Sequence, residues 1–165
     1  MSLPDLAAVL WRQRDLLERL VYRLECEHLL LVAGRTRFLP LATAEVEALL
    51  ADLRVLELQR ASAADRVAAE AGLLEGTGLE QLAAAVQPPW TGVLLEHREA
   101  LLALTSELAA LADTNRTLMA AGMKAVESAL AGVTDRTGTA SVGYDAKGRS
   151  DLISGAGPLV VDRTL

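Results

Sequence analysis

The sequence predicts an all-α fold: an elongated antiparallel helical bundle or coiled coil of three long helices plus one short helix, with a breaker-rich C-terminal tail. Three observations carry that prediction. Leucines recur at seven-residue intervals in two separate stretches, Leu10, Leu17, Leu24, Leu31 and again Leu94, Leu101, Leu108. That is the 3.5-residue period of helices packed along their length. The chain is 52% hydrophobic but only 3% aromatic, so its apolar content is the Leu, Ala and Val mixture of helix–helix contacts. No stretch reads as a convincing strand, and "PLVV" near the C-terminus is too short to count.

At the N-terminus Ser2 is a candidate cap, Pro4 sits in a first turn and Asp5 lies three residues after the cap, so helix 1 is placed at about 3–33. Leu20, Val21 and His28 fill the intervening seam and Gly34 is a candidate C-cap. "RTRFLPLAT" reads as a connection because Pro40 bars continuation of helix 1. Thr43, followed by Glu45 and Glu47, then opens helix 2 at about 43–72. Its stripe is Val46, Leu49, Leu50, Leu53 and Leu56, thinning to Ala63, Val67 and Ala71. Thr77-Gly78-Leu79-Glu80 fits a capping box, which predicts a short helix over 78–86. Pro88 and Pro89 end it, and one of them suits the start of the last helix, placed at 89–133. In that helix Leu94, Leu101, Leu108, Asn115, Gly122 and Ala129 lie seven apart, with His97, Leu104, Leu111, Leu118 and Ala125 in the second seam position. Asn115 is a polar intruder of the kind that fixes register when buried. The domain reading is one bundle over 1–133 and a tail over 134–165.

Composition bounds the chemistry. The formal net charge is −6, which argues against nucleic acid, whose backbone demands a basic patch. The one cysteine, Cys26, has no partner for an internal disulfide, as in a reducing compartment. Uncharged apolar runs such as "HLLLVAG" fall far short of the ~20 residues of a membrane span, and no signal peptide is visible. The expectation is a soluble cytoplasmic protein without membrane insertion.

Catalytic and metal motifs lack parts. Glu25 and His28 form a Glu-x-x-His pair, but a di-metal bundle site needs a second one, and the residue three before His97 is Leu94. Cys26 and His28 are two apart and lie on different helix faces. "SGAGP" follows no strand and opens no helix, so it is not a phosphate loop. The expectation is no catalytic residue, no metal and no cofactor.

Binding is better represented. Met119 and Met123 are an i, i+4 pair, and flexible thioethers suit surfaces that accept varied apolar partners. Helix 4, at roughly 45 residues, would run about 67 Å, longer than helix 2 and the short helix can line. Its last part, Leu118 to Val133, therefore calls for the tail, a second copy or a foreign helix. The tail itself carries apolar beads at Leu152–Ile153 and Leu159–Val161 among its glycines, candidates to cover that groove or to clasp what binds there.

Taken in order, "LWRQRDLLERLVYRLECEHLLLVAGRTRFL", "ATAEVEALLADLRVLELQRA", "HREALLALTSELAALADTNRTLMAAG", a trailing "YDAKGR" and the closing "VDRTL" resemble the FlgN family of flagellar export chaperones, in its high-GC Gram-positive form. The resemblance implies a cytoplasmic, non-enzymatic chaperone of the flagellar type III export system. Its partners would be the hook-associated proteins FlgK and FlgL, kept unassembled, and the export gate. By position, Leu118, Met119, Met123, Val126 and Leu130 would form the client groove and Tyr144 would be a gate-docking candidate. Such a chaperone is expected to be a monomer or weak homodimer. The competing reading is a homo-oligomeric coiled-coil scaffold whose exposed seam is its own dimer interface.

Overall fold

The computed structural model describes residues 2–138. Its elements are α1 (Ser2–Val32), a 3-10 turn (Thr36–Phe38), α2 (Leu39–Glu70), α3 (Leu79–Ala85) and α4 (Trp90–Gly138). No strand occurs among the described residues, and the helices pack as an all-α bundle. Contacts divide the chain into a first unit, Met1–Ala121, and a second, Gly122–Leu165.

Polar pairs fix the directions of the long helices in the first unit. Gln13 donates to Glu57, Arg23 pairs with Glu45 at 3.0 Å, and Thr43 donates to Glu27 at 2.9 Å. One number rises as the other falls, so α1 and α2 are antiparallel. Against α4 both numbers rise: Arg14 meets Glu96 at 3.4 Å and His28 meets Asn115 at 3.0 Å. The order is up, down, up, and the first and last helices run parallel.

The seven-residue seams become the core. Leu6, Leu10 and Leu94 are wholly buried together with Leu82 of α3, and Leu17, Leu20, Leu24, Val46 and Leu108 form a second cluster. The alanine-rich half of α2, which reads as thin in sequence, is tightly packed: Ala63, Val67 and Ala68 are each at most 2% exposed. Small side chains bury little area each, but they let α1 and α3 approach closely enough for Leu6, Leu10 and Leu82 to fill the space. Leu50, placed in the stripe by its spacing, turns outward instead.

The end of α1 closes on the glycine the sequence offered, whereas the residues expected to cap the helix starts take other roles. At the end of α1, Arg35 N–H donates to Leu30 C=O at 2.9 Å and Gly34 N–H to Leu31 C=O at 3.1 Å, with Gly34 at φ +65°. This pairing satisfies two orphan carbonyls and needs a left-handed residue. Pro40, read as a stop for helix 1, instead lies in the first turn of α2, where a missing N–H costs nothing. Thr43 is consequently inside α2 and spends its hydroxyl on Glu27 rather than on a cap. Ser2 likewise bonds to Glu70, at 2.6 Å from Oγ. That bond holds the Glu70 carboxyl below its usual range. The capping box at Thr77 does not form: Gly78 is the N-cap, Thr77 donates back to Leu74 C=O, and Glu80 pairs with Arg98 at 2.9 Å. Pro89 precedes α4, and its carbonyl accepts from Val93 N–H at 3.2 Å.

Candidate functional site

The strip anticipated on the last helix lies on α4, which extends five residues beyond the expected end at 133, to Gly138. Its five residues do not share one environment. Leu118 and Met119 are half-buried. Met123, Val126 and Leu130 are 65%, 59% and 61% exposed. Val133, 56% exposed, extends the series and was not among the expected residues. Met119, Met123, Val126, Leu130 and Val133 step alternately by four and three, which places them along one helix face. Gly122 and Ala125, the seam residues beside them, are exposed as well. Tyr144, Leu152 and Ile153 lie outside the described residues.

Immediately before the strip, the α4 seam ends in a buried polar knot. Asn115 is 2% exposed and Glu27 4%. The Asn115 amide nitrogen donates to Leu24 C=O at 2.9 Å and to Glu27 Oε2 at 3.1 Å. The other carboxylate oxygen accepts from Thr43, and His28 Nδ1 lies 3.0 Å from Asn115 Oδ1. Three helices thus contribute to one network. Each side-chain atom named has a partner, so the network resists sliding of one helix past another without leaving a buried group orphaned.

Glu25 and His28, the incomplete metal motif, diverge: Glu25 is exposed while His28 turns to Asn115. Cys26 is a half-buried free thiol. Among the described residues no group of three His, Cys, Asp or Glu side chains is placed to hold a metal, and no helix is long and apolar enough to cross a membrane. His97 is 1% exposed, meets Trp11 edge-on at 4.8 Å, and leaves its Nδ1 without a hydrogen-bond partner. Burial and the neighbouring Arg14 push its pKa down, so the ring is a neutral wedge in the core.

The fold and its surface define a helical-bundle protein whose last helix presents an apolar face to solvent. Comparison with protein families matches residues 1–151 to the family described as FlgN protein. The chain belongs to the FlgN family, a family of flagellar export chaperones rather than of enzymes. No curated protein and no solved structure matches the chain.

Proposed function

We propose that this chain binds the terminal helical segments of the hook-associated proteins FlgK and FlgL in the cytoplasm and keeps them unassembled and export-competent. Leu118, Met119, Met123, Val126 and Leu130 form its client surface. The observation that supports this is the exposed apolar face of α4 in a chain of a chaperone family. A client segment that is disordered before assembly would fold on binding and lay its apolar stripe along that face. The half-buried Leu118 and Met119 would anchor one end of the contact. Two methionines suit this task because one flexible surface can accept two different clients. On the same reading Tyr144 docks on the export gate, and Leu152 and Ile153 cover or clasp the client surface.

Met123→Asp tests the proposal. The side chain is 65% exposed, so the unbound variant should match the parent to within about 0.5 kcal/mol in urea denaturation. In a complex the new carboxylate would be buried unpaired, at a cost of several kcal/mol. Calorimetric titration with the client's terminal segment should show affinity reduced by roughly 100-fold. Unchanged affinity would remove the strip from the client site. A constitutive dimer, seen by light scattering and indifferent to the segment, would favour the scaffold reading instead.

A further inference from the structure

A second surface, at the tip of the α1–α2 hairpin, has no place in the client reading. From Val32 to Phe38 every residue is exposed. Leu29, Val32 and Leu41 are 64%, 65% and 64% exposed, and Phe38 is 41% exposed. Between Glu27 and Glu45 there is no acidic residue, although the whole chain carries a net charge of −6. The two bounding carboxylates are already committed, Glu27 inside the polar knot and Glu45 to Arg23. Arg35 and Arg37, like Arg12, Arg54 and Arg66, make no ion pair among the described residues, and they are the two arginines of this acid-free stretch. The Arg37 guanidinium lies over the Phe38 ring at 4.5 Å. Stacking of that kind holds the planar fork in place and leaves its edge free for an oxyanion.

We infer that this tip is a docking surface for an acidic amphipathic helix of a partner protein. The apolar side of such a helix would rest on Leu29, Val32, Phe38 and Leu41, and carboxylates flanking that side would reach Arg35 and Arg37. Charge complementarity selects the sign of the partner. A fork preorganised on an aromatic ring suits bidentate carboxylate binding. Anionic lipid is the less suitable occupant, because clusters of four to eight cations mark lipid-binding segments and the tip has two. The inference stands independently of the client surface on α4.

The test uses the full chain and two synthetic amphipathic peptides with the same leucine stripe, one flanked by glutamate and the other by lysine. Binding is read by anisotropy of a label on the peptide. The glutamate peptide should bind at least about tenfold more tightly than the lysine peptide. Arg35→Glu/Arg37→Glu should reverse that preference, and Leu29→Ser/Leu41→Ser should weaken both peptides. Because all four positions are exposed, each variant should keep the parent's helical circular dichroism and melt. Met123→Asp should leave the glutamate preference unchanged, which separates this surface from the client strip. Equal binding of the two peptides, or a preference that survives charge reversal at Arg35 and Arg37, would overturn the inference. So would binding to phosphatidylglycerol vesicles with neither peptide bound.

Discussion

Asn115 satisfies both ends of its amide inside the bundle. Its nitrogen serves Leu24 C=O and Glu27 while its oxygen faces His28. Replacing it with alanine removes a donor from a buried carboxylate and leaves a backbone carbonyl short of one bond. Asn115→Ala should therefore destabilise the protein by about 2–4 kcal/mol in urea denaturation. A loss under about 0.5 kcal/mol would mean that water replaces the amide. The sequence marked Asn115 as the polar residue in an apolar seam, but it singled out no acid as its partner and named Glu25 only in an incomplete metal motif. The acid that matters to the fold is Glu27, two residues on and turned inward. Helical periodicity tells which residues share a face, and the partner of a buried polar group is set by a neighbouring helix that periodicity does not see.

His97 offers a second measurement at this scale. Burial and Arg14 lower its pKa, while Glu96 acts weakly in the opposite direction. The unfolded chain therefore takes up the proton first as pH falls through the ordinary histidine range near 6.5. The stability that this group contributes is complete above that range. It declines as pH drops from about 6.5 towards the lower folded-state value. Between about pH 7.5 and pH 5.5 the urea midpoint should fall further in the parent than in His97→Leu, which cannot titrate at that position. Equal slopes would mean that His97 binds its proton equally well in the folded and unfolded states.

At the scale of elements, the glycine that closes α1 was legible in the sequence, while the partners of the expected cap residues were not. Gly34 and Gly72 both adopt positive φ, +65° and +70°, and both close a helix by the same pair of backbone bonds. Only backbone conformation constrains Gly72, since a Cβ there would meet nothing within 4 Å. Gly72→Ala should cost about 1–2 kcal/mol, the penalty of a left-handed L-residue. A neutral effect in thermal melts would show that the α2 terminus rearranges freely. Glycine is readable because the requirement is local. Ser2, Thr43 and Thr77 carry cap-forming hydroxyls, yet each hydroxyl has another partner: Glu70, Glu27 and Leu74 C=O. A side chain at a helix start can bond its own helix or an element packed nearby, and only packing decides between them.

At the scale of the molecule, among the described residues both buried clusters lie within residues 6–108 and their partly buried neighbours reach no further than Ala112. The polar knot also closes at Asn115. A chain ended after Ala121, at the boundary of the first unit, should keep a cooperative melt with its midpoint within about 5 °C of the parent. It should also lose the client segment, because Met123, Val126 and Leu130 are absent. Loss of cooperative folding would show that the first unit depends on residues beyond Ala121.

Local spacing was enough to dictate the helical class, the number of long helices, the seams that become the core and the apolar strip late in α4. A seven-residue period has one physical meaning in a chain of this composition, so these features were legible before any packing was known. Packing alone decided where burial stops. Leu108 and Asn115 are buried while Gly122 and Ala129, in the same register, are exposed. It also decided that the alanine half of α2 is a dense part of the core, and that the "HLLLVAG" run ends in an exposed, arginine-bearing tip rather than in the interior. The physical reason is common to these cases. Periodicity defines a face, but whether that face is buried depends on a second surface reaching it, and the reach of a neighbouring helix is a property of the packed molecule.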